Sequence, residues 1–272
     1  MPVTSSNPIG PADGPAVLAE IERYYDAVPR PVATTEEVGP FTLFLAEEGN
    51  AWQFYARPRL GWTDEFTSDD VRRLFERQVE LGKPRNIEWV HETSPSLLAA
   101  VREASGALDG VELEECPLLV LPDDVEVPPA PEVRILAPDD ADLATVTNVI
   151  HAGFEGSDEV VERPLGKRRE MIRDGLLVET AAYVDGEVAG GGGSAPRADG
   201  AELMGIAVLP RFRNRGLGSA ITRGLVNAVR ERGARLVLLS AASDSAASIY
   251  RQVGFVDVGT ACILEIADEQ RP

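Results

Sequence analysis

The chain has 272 residues and a formal net charge of -19 at pH 7. That length gives room for two domains of ordinary size, and that charge argues against a nucleic-acid backbone or an anionic membrane as the main ligand, since both need clustered Lys and Arg. With 44% apolar residues and no run approaching the length of a membrane-spanning helix, the sequence reads as a soluble globular protein. The two cysteines, Cys116 and Cys262, and the two histidines, His91 and His151, show no metal-ligand spacing, so neither a metal site nor a histidine-based triad is expected. The polar start, Met1 to Gly10, lacks a signal pattern; with reduced thiols, the expected compartment is the cytoplasm.

A helix carrying Val17, Leu18, Ile21 and Tyr25 opens the first half. Strands from Phe41 to Ala46 and from Trp52 to Ala56 follow, joined by Glu47-Glu48-Gly49-Asn50. Next come a helix from Ser68 to Leu81 stopped by Gly82, a strand from Asn86 to His91, a short helix from Pro95 to Ala104 and an apolar strand from Pro117 to Leu121. Residues 122–131 hold four prolines among acidic residues without apolar periodicity, which predicts an extended linker between domains at 1–121 and 132–272.

The second half begins with a strand from Val133 to Ala137 and a helix opened by Asp139 or Asp140, with Leu143, Val146 and Ile150 on one face. A loop from Ser157 to Pro164 and a short helix from Gly166 to Arg173 follow. Strands from Val178 to Val184 and from Glu187 to Ser194 flank the hairpin signal Asp185-Gly186, and a third runs from Ala201 to Leu209. The run from Gly190 to Gly193 permits close backbone packing beside that third strand. A helix ending near Arg232 carries Leu217, Ile221, Leu225 and Val229 on one face. Arg235 to Ser240 reads as a buried strand, Ser245 to Val253 as a short helix ended by Gly254, and Phe255 to Ile266 as one or two closing strands.

Between the third strand and its helix lies Arg213-Asn214-Arg215-Gly216-Leu217-Gly218. A strand, a glycine turn and a helix make an anion cradle: without Cβ atoms at 216 and 218, several backbone N–H groups converge at the positive end of the helix. The basic cluster Arg211, Arg213 and Arg215 is an exception in an acidic chain, and the flanking arginines add charge-assisted hydrogen bonds to an anion. A dinucleotide fingerprint needs a third glycine where Ile221 stands, and a phosphate loop of the Gly-Lys-Ser/Thr type is absent. The pattern resembles Arg-x-x-Gly-x-Gly, the coenzyme A signature of the GCN5-related N-acetyltransferase (GNAT) superfamily. The stretch from Asp244 to Phe255, a short helix with Ala and Tyr ending in Gly-Phe, resembles that family's second signature.

The resemblance covers about half of the chain and implies an α/β (α+β) fold: a mixed central sheet with helices on both faces, preceded by a second, degenerate GNAT-like domain or an unrelated α/β domain. The first half has Gly61-Trp62-Thr63-Asp64-Glu65 in place of the cradle, so it is not expected to bind coenzyme A. By resemblance, the cofactor is acetyl-CoA as co-substrate, held by backbone groups of Ile206, Ala207 and Val208, by the cradle residues Arg213, Asn214, Arg215, Gly216, Leu217, Gly218 and Ser219, and by Ser243, which stands where the family often has Asn. The same resemblance makes Glu202 the candidate base toward the amine and Tyr250 the candidate acid toward the leaving thiolate. His151, Phe154 and Glu155 fall where family members build the acceptor pocket. The reading is thus a cytoplasmic, monomeric N-acetyltransferase acting on a small-molecule amine; a non-catalytic acyl-CoA-binding sensor or interaction module is the alternative.

Overall fold

The computed structural model describes residues 14–46, 55–106 and 108–267. The expected polar start, the connector from Glu47 to Asn50 and Trp52 at the start of the second strand lie outside these residues. Two compact units divide the chain: one joins Gly14–Leu118 to the segment beginning at Val258, and the other comprises Leu119–Asp257.

The first unit contains α1 (Gly14–Ala27), β1 (Ala33–Val38), β2 (Phe41–Ala46), β3 (Tyr55–Pro58), α2 (Ser68–Glu80), β4 (Arg85–Val90), α3 (Leu97–Ser105), most of β5 (Val111–Leu121) and most of β11 (Val256–Ile266). Its strand order is β1-β2-β3-β4-β11-β5. β1 with β2, β2 with β3 and β4 with β11 pair antiparallel, whereas β3 and β4 run parallel and meet at Ala56↔Ile87. The helix α2 starts where it does because Thr67 and Asp70 form a reciprocal capping box, satisfying two otherwise orphaned N–H groups. Phe41, Leu43, Leu74, Ile87, Trp89 and Leu97 form the core with Cys262, Leu264 and Ile266 from β11. Strand β1 was not expected from its sequence Ala-Thr-Thr-Glu-Glu-Val. It is an edge strand paired only with β2 and exposed on much of both faces, so it carries no apolar alternation to read.

The second unit contains β6 (Val133–Ile135), α4 (Leu143–Phe154), α5 (Arg168–Arg173), β7 (Val178–Val184), β8 (Glu187–Arg197), β9 (Gly200–Val208), α6 (Leu217–Arg230), β10 (Leu236–Ser240) and α7 (Asp244–Val253), with Leu119–Leu121 of β5 beside β10. The order is β5-β10-β9-β8-β7-β6, with β9 and β10 parallel and β6 to β9 antiparallel. The predicted face of α6 is the buried one: Leu217, Ile221, Leu225 and Val229 all enter the core. Each such side chain stabilises the fold by about 1.5–3 kcal/mol.

Helices approach β8 closely from two sides, and the glycine run is the reason they can. A Cβ on Gly191 would lie 2.5 Å from Thr180 O and 2.7 Å from Val146 Cγ1 of α4; one on Gly192 would lie 2.9 Å from Ile206 Cγ1 and 3.0 Å from Ile221 Cγ2 of α6. The two units differ from a single cut at 122–131 in two places: the end of β5 joins the second unit, and Val258–Ile266 joins the first. The proline-rich stretch itself is fastened along one face of α6. Arg230 donates to Val125 O (2.6 Å) and Pro122 O (2.9 Å), Asn227 donates to Pro128 O, and Arg223 pairs with Glu132. Positions 223, 227 and 230 share a helix face, so backbone carbonyls that lack strand partners are satisfied there.

Candidate functional site

Strands β9 and β10 part company early. Their parallel pairing runs from Leu236↔Gly200 through Val237↔Ala201 to Leu238↔Glu202 and ends there, although β9 continues to Val208. On its other edge β9 carries a bulge against β8, where the register shifts between Gly191↔Ala207 and Gly193↔Met204. The extra residue falls at Gly205 and Ile206, and Gly205 has φ +62, a conformation that glycine adopts without a steric penalty. Ala207 is buried with its carbonyl next to Gly190, and Ile206 is half-buried with its side chain toward Gly192. Leu209 donates its N–H to Ala189 O on β8 at 3.0 Å. Since successive strand N–H groups alternate sides, Val208 turns its N–H toward the edge that β10 has vacated.

The cradle lies directly beyond. Asn214 (φ +60) and Gly216 (φ +78) both take the left-handed conformation, and Gly216 is the N-cap of α6. A Cβ on Gly216 would meet nothing within 4 Å, and one on Gly218 would meet only Ile249 Cγ2, at 3.9 Å. The space in front of both glycines is therefore open. The first turn of α6, which includes Leu217 and the half-buried Ser219, contains no acidic residue, leaving its positive end uncompensated. Leu217 anchors the turn by entering the core.

The three arginines of the basic cluster have different fates. Arg211 pairs with Asp158 and Glu187. Arg213 donates to two backbone carbonyls, from Nη2 to Gly153 O at 2.6 Å and from Nε to Val208 O at 3.1 Å, instead of facing the open cradle as expected. Arg215 is exposed, lies 5.6 Å from the Phe212 ring centroid and has no carboxylate partner among the described residues. Of the three, Arg215 is the cation left to meet an anion.

Glu202 is half-buried on β9, opposite Ala195 on β8. Tyr250 is half-buried on α7, with its ring 6.2 Å from that of Phe255 in an edge-on arrangement. Burial raises its phenol pKa above the ordinary value, so the group keeps its proton throughout the neutral range. Its neighbour Ile249 is the residue closest to the missing Cβ of Gly218, which ties α7 to the cradle. Ser243 caps α7 by accepting from Ala246 N at 3.2 Å, so its oxygen is engaged locally.

His151, Phe154 and Glu155 gather at the C-terminal end of α4, all exposed. Glu155 pairs with Arg163 at 2.8 Å. Partial burial, then the charges of Arg163 and Arg168, push the His151 pKa below its usual value, against an opposing pull from Glu155. The native chain thus resists protonating His151 more than the unfolded chain does, and stability associated with this residue falls as pH drops through the ordinary histidine range. An NMR titration is expected to give a His151 midpoint below 6.5 and to move it upward in Arg163→Gln. A midpoint above that value would reverse the assigned electrostatics.

One acid went unnoticed in the sequence. Glu179 on β7 is buried, pairs with Arg168 and leaves Oε2 without a hydrogen-bond partner. Burial raises its pKa while Arg168 opposes the rise. It is paired with Gly193 on β8, whose neighbour on β9 is Met204; alternation along β9 puts Glu202 on the same sheet face. The available signal was a lone Glu within the apolar run from Val178 to Val184.

A mixed sheet, a bulged strand splayed from its parallel neighbour and an anion cradle at the next helix define a GNAT-like α/β fold. Residues 146–255 match the acetyltransferase (GNAT) family, whose members use acetyl-CoA as co-substrate. A GCN5-related N-acetyltransferase from Kribbella flavida superposes with a TM-score of 0.69 at 21% identity, covering 92% of this chain and 96% of the other. One from Sphaerobacter thermophilus gives 0.55 at 15% identity, covering 97% and 96%. A tandem GNAT protein from the clavulanic acid biosynthesis pathway gives 0.51 at 15% identity, covering 85% and 79%. No curated protein matches. Among the described residues no helix is long and apolar enough to cross a membrane.

Proposed function

We propose that residues 132–272 carry an acetyl-CoA-dependent N-acetyltransferase site that transfers an acetyl group directly to a primary amine of a small molecule. The observation that carries this reading is the splay beyond Leu238↔Glu202, which opens onto a cradle with free space before both glycines, an acid-free helix turn and an unpaired Arg215. These features fit a pyrophosphate and a pantetheine arm. Gly216, Leu217, Gly218 and Ser219 supply N–H groups to the pyrophosphate with Asn214 beside them, Arg215 supplies charge, and Ile206, Ala207, Val208 and Ser243 line the arm.

Bound there, acetyl-CoA supplies an activated acyl carbon and a thiolate leaving group. The Val208 N–H faces the splay and stabilises negative charge developing on the acyl oxygen. Glu202 accepts the proton an ammonium must lose before it can attack. Tyr250, held in its phenol form by burial, returns a proton to the departing sulfur. His151, Phe154 and Glu155 form the acceptor wall, and the acidic surface draws a cationic amine toward it.

The first unit supports a degenerate tandem repeat. Its order β1-β2-β3-α2-β4-α3-β5, with β3 and β4 as the parallel pair, follows the order β7-β8-β9-α6-β10-α7-β11 of the second half. Its helix α2, in the place of α6, begins with Asp69 and Asp70, which would repel a phosphate. This half then shapes the protein without holding cofactor.

Calorimetric titration with acetyl-CoA, followed by an amine panel read by thiol release, tests the assignment. Glu202→Gln and Tyr250→Phe are each expected to lower kcat by about 10²-fold or more, the scale of general acid–base catalysis, with acetyl-CoA affinity unchanged. Unaltered turnover in both would remove these roles. Binding without transfer to any amine would instead favour an acyl-CoA sensor.

A further inference from the structure

We propose that Arg213 is a positioning residue, not a pyrophosphate ligand: it clamps the end of α4 to the Val208 peptide, so that one side chain sets both the acceptor wall and the amide facing the splay. This inference rests on the acetyltransferase reading of the site. The guanidinium bridges two elements far apart in sequence, with Nη2 2.6 Å from Gly153 O and Nε 3.1 Å from Val208 O. Gly153 lies in the last turn of α4, where carbonyls run out of intrahelical donors and the negative end of the helix accumulates. The Gly153 carbonyl also accepts from the Gly156 N–H, 3.3 Å away. A buttressing cation is what such a terminus lacks.

The contact is also sterically specific. A Cβ on Gly153 would stand 3.0 Å from Ala207 Cβ and 3.3 Å from both Val208 N and Val208 O. The helix end therefore sits against the edge of β9 that carries the splay-facing amide. The peptide between Val208 and Leu209 is held at both ends, its carbonyl by Arg213 and its N–H by Ala189 O. Fixing that plane limits how the Val208 N–H can tilt. His151, Phe154 and Glu155 occupy the same last turn and its cap, so a shift of α4 would move the wall and release the amide together. Arg215, two residues on, touches neither carbonyl and remains available to an anion, a division of labour between two arginines of one motif.

The test compares Arg213→Met, Arg213→Lys and Arg215→Met in the full chain by acetyl-CoA titration, by acceptor kinetics with the best amine of the panel and by hydrogen exchange. Arg213→Met is expected to leave acetyl-CoA affinity within about twofold, to raise the acceptor KM and lower kcat/KM by at least about tenfold, and to speed amide exchange over residues 151–157. Arg213→Lys, able to reach one carbonyl, should fall between. Arg215→Met should weaken acetyl-CoA about tenfold and leave exchange at 151–157 as in the wild type. The clamp is overturned if Arg213→Met weakens acetyl-CoA as much as Arg215→Met while residues 151–157 stay protected; should Arg213→Met not fold, Arg213→Lys decides on the same criteria. A wild-type chain that fails to bind acetyl-CoA would overturn the assigned function, while the exchange comparison would still judge the clamp.

Discussion

Gly218→Asp is expected to abolish acetyl-CoA binding in a chain that melts no lower than the wild type. The backbone at 218 is ordinary helix, and the added Cβ would meet only Ile249 Cγ2 at 3.9 Å. Replacing glycine inside a helix recovers about 0.5–1 kcal/mol of backbone entropy, and a carboxylate in the first turn gains about 0.3–1 kcal/mol from the helix dipole. The same carboxylate would stand where the pyrophosphate must approach, turning attraction into repulsion. A loss of at least about 100-fold in affinity, about 2.7 kcal/mol, is expected. Gly216→Glu is a poorer probe, because φ is +78 there and a side chain in the left-handed region costs about 1–2 kcal/mol by itself. Calorimetry and thermal melting of Gly218→Asp read the two effects separately. Affinity within tenfold of wild type in a folded variant would remove the pyrophosphate from the cradle.

The second large effect concerns cutting the chain. A fragment of residues 132–272, which contains both signatures, is expected not to fold as a cooperative unit. It loses Leu119 and Leu121, both in the core of the second unit, together with the partly buried Val125 and Val127 and the carbonyls that Arg230 holds. It also strips Cys262, Leu264 and Ile266 of the first unit's core, where they are buried beside Trp89 and Ile87. Five fully buried side chains at about 1.5–3 kcal/mol each come to about 7–15 kcal/mol, comparable with the whole stability of a typical domain. The fragment should therefore be aggregated or molten by chromatography and near-ultraviolet dichroism. A monomeric fragment that melts cooperatively near the full chain's midpoint would show that the exchanged strands are dispensable.

Both outcomes depend on how much of the protein is local in sequence. The cradle and its helix are legible because Arg213 to Gly218 sits between an apolar strand and a four-residue apolar repeat, and those signals need no distant partner. The α7 helix is legible for the same reason, from Ser245 to its glycine stop at Gly254, whereas its cap at Ser243 emerges only in the structure. Strand β1 is not, since an exposed edge strand is specified by the neighbour it pairs with. Nor is the direction of a long side chain: Arg213 and Arg215 look alike in the motif, and only the arrival of Gly153 O beside one of them separates their tasks.

The amino-acid sequence alone determined the order of strands and helices in the second half and the glycine cradle, because periodicity, caps and turn residues act over a few residues; Tyr250 and Glu202 became candidate acid and base through the family resemblance that the cradle carries. Tertiary structure alone decided which unit each closing strand joins, that residues 122–131 are strapped to α6, that Glu179 is a buried carboxylate paired with Arg168, and that β9 separates from β10 after Glu202. Each of these depends on contacts between residues from 11 to more than 100 positions apart, where the choice is made by packing and hydrogen-bond satisfaction and leaves no periodic trace in the chain.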